Sequence, residues 1–235
     1  MMLESPSPFD RIQTNWQRTV EKVADACMRS NREIGSVTIV GVTKYVDTVL
    51  TKHLYDAGCC DLGESRPQNI WSKAPALPDA KWHLIGHLQR NKVKRTLPHV
   101  ELIHSVDSLR LLEQIATDAD SLSKKTRLLI EVNVTQDASK TGASPDEAMA
   151  ILDRGLALPH LEIVGVMAMA SLQGTSDQAR SEFASVRVLR DQLVEKYKHP
   201  LPVLSMGMSG DFVEAIAEGA TLIRLGSCLF EGLLT

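Results

Sequence analysis

The chain has 235 residues, of which 43% are hydrophobic, enough to fill the core of one large domain. Its 26 Lys and Arg residues against 29 Asp and Glu give a net charge of −3, which argues against a surface built for nucleic acid or anionic membranes. None of the four cysteines has the C-x-x-C spacing of a zinc or redox site, so reduced thiols are expected: Cys27, Cys59, Cys60 and Cys228.

Targeting signals are not expected in this sequence. Between Met1 and Arg11 no basic stretch leads into an apolar run, and no apolar stretch approaches the roughly 20 residues of a membrane span. We therefore expect a soluble cytoplasmic protein with a small or neutral partner.

A long helix is expected at the start of the chain, over residues 9–32. Its apolar residues recur at three- or four-residue steps: Ile12, Trp16, Val20, Val23 and Cys27. Short β-branched runs then alternate with charged amphipathic stretches, which is typical of successive βα units. Eight runs are predicted as strands, at residues 37–43, 61–63, 82–85, 101–104, 127–134, 163–169, 203–206 and 222–225.

Helical patterns fill the intervals between the strands, for example at residues 107–117, 145–155, 176–197 and 211–218. Eight strands over this length suit a closed (β/α)8 barrel, which has roughly 250 residues, better than an open doubly wound sheet. We predict an α/β fold: a single (β/α)8 TIM-like barrel with a leading N-terminal helix, residues 1–235 forming one domain.

Lys44 directly follows the first predicted strand, whose sequence VTIVGVT is almost continuously apolar or β-branched. Reactive groups of such barrels lie where strands end. Strand alternation would place Lys44 on the inward side with Val40 and Val42, where lost solvation would free a neutral amine to attack an aldehyde. The alternative is an ordinary strand-end lysine that reaches water.

Residues 205–211, with the sequence SMGMSGD, lie between a predicted strand and a predicted helix. The glycines allow close approach of a ligand, the amides at the helix N-terminus attract phosphate, and Ser209 adds a hydroxyl donor. The alternative is a Ser- or Asp-capped turn of the kind that any βα connection needs.

Arg224 projects from the last predicted strand, and Gly226 and Ser227 follow it. A guanidinium in an apolar rim needs an acceptor, which a pyridine nitrogen or a phosphate oxygen would supply, with the amides of Gly226 and Ser227 as further phosphate donors. The alternative is an ion pair with Glu64 or Glu131.

Two further patterns are interpreted without a ligand. His83 and His87 have the i, i+4 spacing of a helical metal pair, but the sequence WHLIG reads as a strand entering a turn, so we expect no metal site. A basic run is expected to be a solvated helix face rather than a nucleic-acid contact, since no aromatic residues interleave it: Arg90, Lys92, Lys94 and Arg95.

Together these segments resemble the pyridoxal phosphate homeostasis protein family, whose fold is similar to the barrel domain of alanine racemase. The resemblance spans nearly the whole chain, and its motifs lie at residues 42–44, 62–65, 82–92, 104–107, 139–142, 165–167, 205–209 and 224–226.

The resemblance implies that Lys44 forms an imine with pyridoxal 5'-phosphate (PLP). It also implies that Ser209 and the amides of Gly226 and Ser227 surround the phosphate, and that Arg224 faces the pyridine nitrogen. Two departures from the family pattern stand out. Ser65 replaces a frequent Asn, and residues 230–232 read FEG instead of the usual FG, a position expected to lie beyond the phosphate site.

The favoured function is that of a PLP carrier or buffer, acting as a monomer and delivering PLP to apo-enzymes, without catalytic residues. The alternatives are an amino-acid racemase and an aldolase-type enzyme that uses Lys44 directly. A racemase needs a second base, and Tyr45 should point away from Lys44 while Tyr55 and Tyr197 lie on predicted helices. Because the sequence ends at Thr235, about ten residues past the last strand, no closing domain is expected.

Overall fold

The computed structural model describes residues 6–135, 141–171 and 174–234. Eight parallel strands pair in sequence order into a closed barrel. Their bounds are β1 (Thr38–Val42), β2 (Asp61–Glu64), β3 (Lys81–Leu84), β4 (Leu102–Val106), β5 (Thr126–Glu131), β6 (Leu161–Met167), β7 (Val203–Ser205) and β8 (Leu222–Leu225). The predicted fold class is confirmed, and every predicted strand is present with ends that differ by a few residues.

Helices surround the barrel, at α1 (Pro8–Arg29), α2 (Thr48–Asp56), α3 (Pro67–Lys73), α4 (Val93–Thr96), α5 (Leu109–Ser121), α6 (Pro145–Leu156), α7 (Ser176–Tyr197) and α8 (Phe212–Ala217). Short 3₁₀ helices occupy Ala74–Ala76, Arg90–Lys92 and Leu97–His99. No helix follows β8 in the described part of the chain. The leading helix α1 packs against α2 and α8 and so covers the seam between β8 and β1.

Local sequence signals fix the ends of α1. Ser7 and Asp10 form a reciprocal capping box, and Pro8 occupies the first turn, where its missing N–H costs nothing. Such a cap stabilises a helix by about 1 kcal/mol. The helix ends three residues earlier than predicted, because Asn31 adopts a left-handed conformation with φ of 52°.

The hydrophobic residues form two cores, as strand alternation requires. A large core fills the layer between strands and helices. A small cluster lies inside the barrel, formed by Val40, Leu102, Leu129, Val164, Met167 and Leu222. Polar side chains occupy further buried positions on the strands, including His83, His104, Ser205 and Arg224.

Among the described residues, no helix is both long and apolar enough to cross a membrane. The four cysteines are all unpaired.

Candidate functional site

A cavity of about 380 Å³ opens at the carboxyl ends of the strands. The five residues singled out from the sequence all line it: Lys44, Ser209, Arg224, Gly226 and Ser227. They come from three separate segments, after β1, after β7, and on and after β8. The closed parallel barrel brings these segments together because every strand ends on the same face.

Lys44 lies in a turn rather than on a strand, because β1 ends at Val42. Its side chain is exposed, and its Nζ lies 4.9 Å from the centroid of the Tyr45 ring. Two expectations are therefore wrong: Lys44 is not desolvated inside the barrel, and Tyr45 does not point away from it. Strand alternation cannot be extended past the end of the strand, and the two neighbouring side chains meet across the turn.

A buried ammonium holds this turn, residues 43–46, which we call the Lys44 turn. Lys73 on α3 donates to the carbonyl oxygens of Thr43 at 2.9 Å and Val46 at 2.8 Å, on either side of Lys44. It also forms an ion pair with Glu64, whose side chain is fully buried and accepts from the Thr43 hydroxyl at 2.8 Å. The buried ammonium of Lys73 thus holds the backbone on both sides of Lys44 in place.

The segments after β7 and β8 meet at Ser209. The amide of Gly226 lies 3.4 Å from Ser209 Oγ, which is 3.6 Å from the Cys228 sulfur. The backbone N–H groups of Ser209, Gly210 and Ser227 make no hydrogen bond within the described part of the chain. Three amides therefore stand free for an anion at this end of the cavity. The other two predicted phosphate donors have partners within the protein, since the Gly226 amide donates to Ser209 Oγ and the Ser209 hydroxyl donates to the Cys228 sulfur.

The N-terminus of α8 contributes less to anion binding than the sequence predicted. Helix α8 has six residues, from Phe212 to Ala217, which gives little macrodipole. Asp211 accepts a hydrogen bond from the Met208 amide at 2.6 Å instead of capping the helix. The free N–H groups at this end of the cavity therefore belong to the turns rather than to the helix. A Cβ at Gly226 would lie 3.3 Å from Cβ of Val42, so a side chain there would need Val42 to shift by a few tenths of an ångström.

Arg224 is 4% exposed, and its partners within the protein are not the carboxylates of the alternative interpretation. Nη1 donates to the carbonyl oxygen of Ser205 at 2.8 Å and to its hydroxyl at 2.7 Å, while Nη2 donates to the carbonyl of Ala168 at 3.0 Å. Neither Glu64 nor Glu131 forms an ion pair with it. Burial lowers the pKa of the guanidinium to about 10, although nearby Asp211 and Glu131 oppose the shift.

Two donors of Arg224 remain available. Its Nε–H and one hydrogen of Nη2 have no partner among the described residues, and the side chain lines the cavity. Glu131 accepts from the Thr141 hydroxyl at 2.7 Å, and burial raises the pKa of this carboxyl. The guanidinium is thus anchored on one side by neutral oxygens and free on the other.

Sequence reasoning missed a line of polar contacts that leads from Arg224 into the barrel. Ser205 Oγ lies 2.9 Å from His104 Nδ1, and His104 Nε2 lies 2.9 Å from His83 Nδ1. His83 Nε2 in turn lies 3.0 Å from Asp61 Oδ1. No sequence spacing signals this line, because its five members come from five strands, β2, β3, β4, β7 and β8, which only the closed barrel brings together.

The two histidines of the i, i+4 pair have separate surroundings. His83 is buried on β3, whereas His87 is exposed beyond the strand and lies 3.8 Å from Asp107. In the described ranges no group of three or more His, Cys, Asp or Glu residues has the geometry of a metal site. In the basic run, Arg95 stacks over the ring of Trp71 at 4.1 Å.

Apolar side chains form much of the remaining cavity wall, and of these the sequence placed only Val42 on the inward side: Val42, Val46, Ile85, Met169, Met208, Phe230 and Leu234. Residues 230–232 were expected to lie beyond the phosphate site; Phe230 nevertheless lines the same cavity. Ser65 also lines it, where Gly86 packs so closely that a Cβ there would clash with the Ser65 backbone. Residues 139 and 140 of the family-like motif lie outside the described residues.

The fold and cavity define a class of protein: a (β/α)8 barrel whose cavity is lined by a lysine just past the first strand and by N–H groups that can donate to an anion. Residues 10–233 match the family model described as alanine racemase, N-terminal domain. The pyridoxal phosphate homeostasis protein of Aquifex aeolicus is 37% identical, over 91% of this chain and 94% of its own.

Solved structures agree with this match. An unknown protein from Bifidobacterium adolescentis has a TM-score of 0.90 at 31% identity, covering 97% of this chain and 98% of that one. PipY of Synechococcus elongatus, solved with PLP bound, has a TM-score of 0.80 at 35% identity, covering 90% and 99%. The chain belongs to the pyridoxal phosphate homeostasis protein family.

Proposed function

We propose that this protein binds PLP reversibly as a carrier or buffer in PLP homeostasis, with Lys44 forming the imine. The observation that carries the proposal is the convergence of Lys44, free phosphate donors and a half-satisfied arginine on one cavity. The names of its relatives and the PLP bound to PipY support the same reading.

The residues present fit the chemical groups of PLP. A phosphate dianion needs several N–H or O–H donors, which Ser209 Oγ and the free amides of Ser209, Gly210 and Ser227 would supply. A pyridine nitrogen needs a donor, which the free N–H groups of Arg224 would supply. The apolar wall, with Met208 and Phe230, suits the faces of an aromatic ring.

The same arrangement favours retention over turnover. When bound, PLP can act as an electron sink for carbanion chemistry, and the sink is weaker when the pyridine nitrogen carries no proton. Arg224 stays protonated even with its pKa lowered to about 10, so it would donate to that nitrogen and leave it without a proton. Lys44 is exposed at the cavity, which suits exchange with solvent and with other proteins.

The contact between Lys44 and Tyr45 makes the racemase alternative worth a direct test, because a tyrosine is a common second base. We propose that Tyr45 packs on the lysine and does not turn over substrate. We further propose a single-domain monomer spanning residues 1–235 that works in the cytoplasm, where its four free cysteines would stay reduced, and that delivers PLP to apo-enzymes.

The experiment compares two activities of the PLP-loaded protein. In one assay it is mixed with L-alanine and other amino acids, and the enantiomers are separated by chiral chromatography. In the other it is mixed with a PLP-dependent apo-enzyme, and recovery of that enzyme's activity is followed. The proposal expects reactivation without racemisation. Racemisation at about 1 per second or faster, abolished by Tyr45→Phe, would overturn it.

A further inference from the structure

A continuous line of hydrogen bonds crosses the barrel interior from one mouth to the other. It joins Asp61, His83, His104, Ser205 and Arg224 with contacts of 2.7 to 3.0 Å, and we call it the polar chain. The two histidines and the serine are at most 3% exposed, so water does not compete for these contacts. Asp61 lies at the amino-terminal mouth of the barrel, with its side chain 21% exposed.

The two ends of the polar chain fix its direction. A guanidinium only donates, and a carboxylate only accepts. His83 therefore donates from Nε2 to Asp61, which leaves its Nδ1 as an acceptor when the ring is neutral. His104 then donates from Nε2 to His83 and accepts at Nδ1 from the Ser205 hydroxyl. The oxygen of that hydroxyl accepts from Arg224, so every donor meets an acceptor.

Both imidazoles must be neutral for this arrangement to hold. A protonated His83 would donate from both nitrogens and force the hydrogen of a neutral His104 onto Nδ1, toward Ser205. The Ser205 hydroxyl would then lose its acceptor. Burial lowers the pKa of His104 well below its ordinary value, which favours the neutral form; the charge of Arg224, and a proton on His83 if it were present, act in the same direction.

We propose that His104 and His83 are positioning residues for Arg224: they orient the Ser205 hydroxyl so that it holds Nη1 and turns the free donors of the guanidinium toward the cavity. This inference rests on the proposed function for its purpose, since the free donors are those assigned to the pyridine nitrogen. The geometry of the polar chain itself does not depend on that assignment. The alternative is a purely structural role, in which His83 and His104 only complete each other's hydrogen bonds in the core and do not orient Arg224.

The first test uses the apo-protein and needs no PLP. Nitrogen-15 NMR of the imidazole rings near pH 7.5 reports which nitrogen of each histidine carries the proton. The proposal expects the neutral Nε2–H form for both His83 and His104. Separate, slowly exchanging Nη signals of Arg224 should coalesce in Ser205→Ala. A proton on His104 Nδ1, or Nη signals unaffected by Ser205→Ala, would overturn the proposal.

The second test is a double-mutant cycle on PLP affinity. Ser205→Ala should weaken binding about 10-fold, as expected for a lost hydrogen bond to a charged group, and shift the absorption maximum of bound PLP. Because Ser205 acts through Arg224, the double variant Ser205→Ala/Arg224→Leu should bind no more weakly than Arg224→Leu alone. Additive losses would contradict the proposal.

Ser105→Ala is the matched control for that cycle. Ser105 is equally buried, and its hydroxyl donates to the Gly86 carbonyl at 2.8 Å, outside the polar chain. It should leave the absorption maximum unchanged. If Ser105→Ala shifts the maximum as much as Ser205→Ala does, the effect is general loosening of the core and the positioning role is wrong. If wild-type protein binds no PLP, the proposed function fails while the NMR result still decides the polar chain.

Discussion

Lys73→Met removes the buried ammonium that holds the Lys44 turn. Lys73 is 5% exposed and donates to two backbone carbonyls and to Glu64, whose side chain is 0% exposed. Methionine fills a similar volume but provides no donor. Glu64 keeps the hydrogen bonds from Thr43 at 2.8 Å and Asn69 at 3.0 Å, yet its charge is left without a counterion.

The expected cost is large because the pair is buried. Removing one partner of a buried ion pair destabilises a protein by about 3–5 kcal/mol, mainly through the charge left behind. That is a major part of a total stability of about 5–15 kcal/mol. The second change Glu64→Gln removes the stranded charge, so the double variant should recover part of the loss. PLP binding by Lys73→Met should also weaken, since the backbone on both sides of Lys44 loses its anchor.

The assay is urea denaturation followed by tryptophan fluorescence, with the free energy of unfolding extrapolated to water. Lys52→Met is a matched control, because Lys52 pairs with Asp56 at 2.6 Å on the exposed surface of α2. Its loss should change stability by no more than about 0.5 kcal/mol. Equal losses in the free energy of unfolding for Lys73→Met and Lys52→Met would refute the argument from burial. So would a double variant, Lys73→Met with Glu64→Gln, that is no more stable than Lys73→Met alone.

Three further outcomes are expected. Unphosphorylated pyridoxal should bind at least about 10-fold more weakly than PLP, because each charge-assisted bond to the phosphate contributes about 1.5–3 kcal/mol. Ser209→Ala should reduce this difference in affinity, and equal affinities of PLP and pyridoxal measured by titration would rule out the phosphate site. Arg224→Leu strands the carbonyls of Ser205 and Ala168, so it should lower stability by about 1–3 kcal/mol and also alter the spectrum of bound PLP, whereas an unaltered spectrum would leave Arg224 a purely structural role. Because the pKa of His104 is lowered in the folded state, the unfolded chain binds a proton at a higher pH than the folded protein does. The free energy of unfolding should therefore fall by up to about 1.4 kcal/mol per pH unit below about pH 6.5, and His104→Gln should reduce that slope when denaturation is measured over a series of pH values.

The barrel was predictable because its strands are short apolar runs with clear limits. Residues 38–42 and 222–225 lie within predicted runs, and α7 was predicted with its observed bounds. No bounds were predicted for α2, α3 and α4, which are four to nine residues long and give weak periodicity; in these regions only Tyr55 and the basic run at residues 90–95 were expected to lie on helices. The five candidate site residues at the cavity followed from one rule, that reactive groups lie at strand ends, whereas most of its apolar lining did not.

The contacts that fix those residues could not be read from the sequence. The alternative interpretation of Arg224 paired it with a carboxylate, but its partners within the protein are two carbonyls and a hydroxyl, and backbone acceptors carry no residue-type signal. His83 and His104 are 21 residues apart on adjacent strands, and only the register of β3 and β4 sets their rings side by side. Glu64 has Lys73 as its partner because α3 folds back over β2.

Borohydride reduction of the loaded protein tests whether Lys44 holds PLP. Purified protein is loaded with PLP, reduced with borohydride, digested, and mapped by mass spectrometry for a pyridoxyl group on lysine. We predict the adduct on Lys44, its loss together with the visible imine band in Lys44→Ala, and its retention in Lys52→Ala. An adduct on Lys52, Lys92 or Lys140 instead, with Lys44 unmodified, would contradict the account.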